Sequence, residues 1–287
     1  MLLSITVGTL LLTSACGGGG GQLAQHQQGT ITTTTTTASI EPIDTAQLDG
    51  PDSVKETART LRRVESRLRA ADRDEDQVDA LGREQQLAYR TLSVHPKWAA
   101  KVVAAIPQRL RAAVQANIDA GAALGLVTGT APPGFPDWEI RTPQPQASLR
   151  AYYDEAEQAY GVPWAYLAAI HFVETRMGRI HGLSSAGAQG PMQFIPSTWA
   201  EYGEGDINDD HDAILAAARY LDANDFASDV DHALFRYNNH ESYVAAIKAY
   251  ASVMLADAAA YDGYYHWQVF YATVDGAFVL PEGWKAS

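Results

Sequence analysis

The stretch whose reading decides the fold is PWAYLAAIHFVETRMG, Pro163 to Gly178. Pro163 suits a first helical turn, where its missing N–H would have had no intrahelical partner, and Gly178 suits a stop. Between them Leu167, Ile170 and Glu174 recur at three and four residues, so the carboxyl falls on the helix's apolar face. A carboxylate there loses hydration, and its pKa rises because the charged form suffers most. An acid still protonated near neutral pH can hand a proton to a leaving oxygen, as cleavage of a glycosidic bond requires. The same position also suits a boundary glutamate ion-paired with Arg176 or Arg179. Helix position alone leaves both readings open.

Downstream, Ser184 to Phe194 reads SSAGAQGPMQF, a glycine-rich loop whose backbone can approach a ligand closely. It lacks the GxxxxGK[ST] form of a phosphate-binding loop. Farther on, Arg236-Tyr237-Asn238-Asn239 ends a helix bearing Val230, Ala233 and Leu234. A phenol and amides at a helix end suit hydrogen bonds to sugar hydroxyls and N-acetyl groups.

Together these residues resemble the SLT-type lytic transglycosylases of glycoside hydrolase family 23, relatives of goose-type lysozyme, in the form found in actinobacterial envelope members. The shared pattern is Glu174-Thr175, then Ser184, Gly187-Ala188, Gly190 and Met192-Gln193, then Tyr237-Asn238. Gly205-Asp206-Ile207 and Asp212-Ala213-Ile214 fit it too, and coverage runs from about Leu149 to Met254. The chain departs from the pattern at Pro191, where leucine is usual, at His171, and at Asn239-His240-Glu241. The resemblance implies a mainly α, lysozyme-like helical catalytic domain and cleavage of the MurNAc-GlcNAc bond with 1,6-anhydro ends. It implies Glu174 as acid and base, and Ser184, Met192, Gln193, Tyr237 and Asn238 as substrate-binding residues. No second carboxylate is needed if the substrate's own acetamido group assists. A hydrolase of the same bond and an inactive glycan-binding scaffold are the rival readings.

Outside this core the chain divides by composition. Residues 1–15 read as a signal peptide: Leu2 to Leu12 is apolar, and Thr13-Ser14-Ala15-Cys16 resembles a lipobox with Cys16 as the lipidated residue. Residues 16–50 read as a Gly/Thr-rich disordered tether, with five glycines and then Thr32 to Thr37 unbroken. Residues 51–145 form a helical N-terminal region. Its stripes run through Val54, Ala58, Leu61, Val64 and Leu68, through Val78, Leu81 and Tyr89, through Trp98, Val102 and Ile106, and through Leu110, Val114 and Ile118. These stripes are read as packing, with no chemistry assigned. The proline-rich Ala131 to Pro136 breaks the pattern, residues 146–262 carry the lysozyme-like domain, and residues 263–287 hold a hairpin turning at Asp275-Gly276.

A net charge of −13 argues against nucleic acid as a partner. The expected partners are peptidoglycan strands, a membrane through the Cys16 anchor, and cell-wall synthesis or division proteins. The expected location is the outer face of the membrane. Asp206-Ile207-Asn208-Asp209-Asp210 opens like a calcium loop, but His211 stands where glycine belongs and Ala217 where glutamate belongs. It reads as a helix cap. The eight histidines have no HExxH spacing, so neither metal nor cofactor is expected.

Overall fold

The computed structural model describes residues 40–127 and 130–286. Cys16, the signal segment and the tether up to residue 39 lie outside the described residues. In chain order the elements are β1 Ile43–Asp44, α1 Val54–Leu68, α2 Val78–Val94, α3 Ala99–Ala105, α4 Gln108–Val127, β2 Glu139–Ile140, α5 Gln146–Tyr160 and α6 Trp164–Thr175. There follow β3 Ile180–His181, α7 Pro196–Tyr202, α8 Asp210–Ala223, α9 Val230–Asn238, α10 Glu241–Ala256, α11 Ala260–Tyr265, β4 Val269–Thr273 and β5 Gly276–Leu280. The fold is mainly α, as the periodicity indicates. Among the described residues no helix is long and apolar enough to cross a membrane.

The stripes become buried faces. In α1, Ala58, Leu61, Val64 and Leu68 are buried, and Ser53 caps the helix by accepting from the Glu56 N–H at 3.3 Å. Such a cap satisfies one of the four N–H groups that a helix start leaves orphaned. In α6, Leu167, Ala168, Ala169, Ile170 and Phe172 have no exposed surface. A helix apolar on all sides must sit inside, and α6 does, with α5, α8, α10 and α11 around it. Helix α10 packs on both α6 and α4, so a single core continues from Ala58 to Trp267. Phe172 anchors it, with Tyr250, Tyr264 and Trp267 at 5.0, 5.1 and 5.3 Å between ring centroids. Truncating such a ring to alanine costs about 3–5 kcal/mol.

A charge network lies within this core. Glu65 of α1 has no exposed surface, pairs with Arg69, and accepts from Gln85 Nε2 at 3.0 Å and from the Tyr89 hydroxyl. The Gln85 amide oxygen in turn accepts from Trp267 Nε1 at 2.9 Å.

The hairpin pairs β4 with β5, Val269 opposite Leu280 through Thr273 opposite Gly276. Its turn residues are Val274 and Asp275, so Gly276 is the first paired residue rather than part of the turn. Ile43–Asp44, within the stretch read as tether, adds a third strand against β5. The β2–β3 pair ties the segment before α5 to the loop after α6, with Glu139 opposite His181 and Ile140 opposite Ile180.

Candidate active site

Helix α6 ends three residues earlier than Gly178 indicates. Arg176 and Met177 are both left-handed (φ 54° and 62°), and Gly178 follows at 81°. Two non-glycine residues at positive φ are costly, and such strain gathers where a site needs a particular geometry. Gly178 cannot be replaced easily, because an added Cβ would lie 2.7 Å from Asp210 Oδ1. Thr175 locks the turn: its hydroxyl accepts from the Gly178 N–H at 3.1 Å and donates to the Pro191 carbonyl at 2.7 Å. The end of the helix is thereby fastened to the glycine-rich loop.

That loop is fixed from within. Gln189 and Phe194 exchange backbone hydrogen bonds of 2.9 and 3.0 Å, and Gln193, at φ 53°, donates through both its backbone N–H and its Nε2 to the Gly190 carbonyl. Gly190 is obligatory, since a Cβ there would lie 1.8 Å from the Ile207 carbonyl oxygen. Ser184 Oγ accepts from the N–H groups of Ala186 and Ala188, at 3.3 and 3.0 Å. From α9, the Tyr237 hydroxyl donates to the Met192 carbonyl at 2.7 Å.

Between these elements lies a cavity of about 350 Å³. Glu174, Ser184, Gln193 and Asn238 all line it. Met192 and Tyr237, also expected at the substrate, do not. Met192 is fully buried beneath the loop, and Tyr237 joins Phe194, Ile195, Thr198, Tyr220 and Arg236 around a smaller neighbouring pocket. Their geometry is that of supports.

Glu174 is 7% exposed and takes no salt bridge among the described residues. Both arginines that could have neutralised it are engaged elsewhere. Arg176 donates to the Phe172 carbonyl at 2.6 Å, and Arg179 pairs with Glu282 at 3.1 Å. Burial pushes the Glu174 carboxyl up to about 7, with a hydrogen bond from Tyr243 as the smaller, opposing effect. That bond runs from the Tyr243 hydroxyl to Glu174 Oε1 at 2.8 Å, and the Tyr243 ring lies parallel to Tyr237 at 6.4 Å between centroids. Asn238 is 1% exposed, and its Oδ1 has no partner among the described residues. A buried orphan amide beside a carboxylic acid is a group built to meet a ligand.

Sequence reasoning missed Tyr243, Arg90 and the β4 residues Val269 to Ala272 that complete the cavity. Tyr243 left a signal, because a tyrosine among the buried apolar positions of α10 needs a hydroxyl partner, and a buried carboxyl needs a donor. His171, another departure from the family pattern, faces away into the core. Its Nδ1 meets the Tyr153 hydroxyl at 2.8 Å and its Nε2 lies 3.2 Å from Asp210 Oδ1. The acidic stretch at 206–212 caps α8: Asp209 accepts from the Asp212 N–H at 3.1 Å, and Asp212 from the Asp206 N–H at 2.8 Å. Asp209, His211 and Asp212 bring ligand-type atoms within 4.8 Å of one another, but both carboxylates are occupied by these caps.

Residues 151–256 match the family described as "Transglycosylase SLT domain". A curated relative, "Membrane-bound lytic murein transglycosylase F" of Thiobacillus denitrificans (strain ATCC 25259 / T1), is 35% identical over 81 residues. That alignment covers 28% of this chain and 17% of the relative, so the chain spans under a fifth of the length of the curated relative it matches. No solved structure matches the chain.

Proposed function

We propose, taking residues 151–256 as a transglycosylase SLT domain, that the chain is a peptidoglycan lytic transglycosylase cutting between MurNAc and GlcNAc. The observation that carries this reading is the solitary Glu174 carboxyl. It is buried, has an acidity near neutral, and faces a cavity in which it is the single carboxylate among the described lining residues.

In its protonated form Glu174 donates to the bridging oxygen, and the bonding pair of the glycosidic bond leaves with GlcNAc. The resulting carboxylate then takes the proton of the MurNAc C6 hydroxyl as that oxygen closes on C1. The product is a 1,6-anhydro ring, and Glu174 ends as it began. With no second carboxylate on the lining, the developing positive charge at C1 falls to the substrate's own acetamido group. Tyr243 keeps the carboxyl oriented and favours its charged form in the second half of the cycle. Ser184, Gln193 and Asn238 hold the sugars, Asn238 through its unpaired amide oxygen. Envelope association, with Cys16 as a lipid anchor outside the described residues, fits a substrate located there.

Digestion of purified peptidoglycan, followed by borohydride reduction and mass spectrometry, tests the reading. Products lighter by one water and resistant to reduction are expected. Reducible ends would make the enzyme a hydrolase, and no products from folded protein would overturn cleavage altogether.

A further inference from the structure

The cavity holds a second chemistry that the cleavage step does not use. Arg90, from α2, and Arg176, from the turn after α6, both line it. Arg90 lies over the Phe270 ring, 3.8 Å from its centroid, and Arg176 over the Phe172 ring at 4.5 Å. Neither meets a carboxylate within ion-pair distance among the described residues, whereas Arg69, Arg73, Arg179 and Arg219 each do; the Arg176 Nη1 donates to the Phe172 carbonyl, a neutral acceptor that leaves its charge unpaired. Burial lowers the Arg90 guanidinium to about 10, and repulsion from Arg176 adds to the effect. Two partly buried cations thus line one cavity, whose single carboxylate among the described lining residues, Glu174, is raised toward neutrality and is within ion-pair distance of neither.

Neutral sugar hydroxyls cannot offset two charges. The substituent on MurNAc can, because the peptide it carries ends in free carboxylates and hangs from the sugar next to the bond being cut. A planar guanidinium presents a fork that matches a carboxylate, and an aromatic ring behind it fixes the plane. We propose that Arg90 and Arg176 form a carboxylate subsite that reads an acidic group on the peptide of the glycan strand while Glu174 acts on the sugar. This rests on reading the cavity as the glycan-cleaving site. It would also explain why a helix of the N-terminal region reaches the catalytic cavity: α2 supplies half of the subsite.

The test is binding by Glu174→Gln protein, which does not depend on cleavage. The probes are a disaccharide-tetrapeptide with free carboxylates and the same compound amidated with carbodiimide and ammonia. The free acid is expected to bind about tenfold more tightly, the effect of one charge-assisted contact. In Glu174→Gln/Arg90→Gln that ratio should fall toward one. Arg90→Lys, which keeps the charge but loses the fork, should give an intermediate ratio. Equal affinity for the two probes in Glu174→Gln overturns the subsite, and so does an unchanged ratio in folded Arg90→Gln protein. The first comparison needs no substitution at Arg90, so misfolding of that variant would not protect the proposal. A carboxylate-dependent affinity in a protein whose wild type leaves peptidoglycan intact would keep the subsite and overturn the cleavage reading.

Discussion

Two buried glutamates, one in α1 and one in α6, hold opposite positions in this molecule. Glu65 and Glu174 each accept a hydrogen bond from a tyrosine, Tyr89 and Tyr243 respectively. Glu65 has in addition the guanidinium of Arg69 and the amide of Gln85, and is wholly enclosed. Glu174 has neither, and opens onto about 350 Å³ of space. The partner set separates structure from chemistry. A buried carboxylate paired with a cation belongs to the fold, while the solitary Glu174 is raised toward neutrality and can exchange its proton.

The comparison breaks or sharpens first through Glu174→Gln, which leaves shape and removes the acid. Cleavage of peptidoglycan should fall on the order of a thousandfold, in the range general acid–base catalysis supplies, measured as muropeptide release. Unchanged turnover would place the chemistry elsewhere. Next comes stability, where the same substitution should act with opposite signs at the two sites. Glu65→Gln removes the buried one of the two carboxylates paired with Arg69, the other being the more exposed Asp257 at 3.3 Å, and should cost up to about 3 kcal/mol at pH 7, read by denaturant unfolding.

Glu174→Gln should instead stabilise the protein at pH 8. The Glu174 carboxyl is raised from 4.5 to about 7, so its protonated form is favoured by folding. Stability linked to it is complete below the unfolded value and is lost as pH rises through about 7. The variant escapes a cost of up to ~3 kcal/mol, and its advantage should vanish near pH 4. A gain of the same size at both pH values would contradict the assignment.

Tyr243→Phe gives a finer test. It removes a donor that favours the charged carboxylate, so the alkaline limb of the pH–activity profile should move to higher pH. The smallest effect is expected from Asn238→Ala. It deletes the unpaired amide and should raise KM on the order of tenfold, the scale of one hydrogen bond to substrate.

The parts legible beforehand were those with a period or a rule behind them. The α1 and α2 stripes and the carboxyl on the α6 face follow from helical spacing, and Ser184, Gln193 and Asn238 do gather around Glu174. Other features had no local signal. The two-residue strands β2 and β3 are too short to show alternation, and Arg176 takes a left-handed conformation that sequence assigns to glycine. Arg90 lies on a helix read as packing, and reaches the cavity only because α2 shares one hydrophobic core with α6. Met192 and Tyr237 belong to the family pattern, yet here their hydrogen bond supports the loop from beneath. A motif identifies the residues of a site without telling which touch the ligand.

The central claim is the protonation state of Glu174. Incorporation of carboxyl-labelled glutamate, with Glu174→Gln used to identify the resonance, allows its titration to be followed by carbon-13 NMR. A midpoint near 7 is the predicted result. A midpoint in the ordinary carboxylate range, near 4, would mean that Glu174 is ionised at neutral pH, and would contradict its part as the acid.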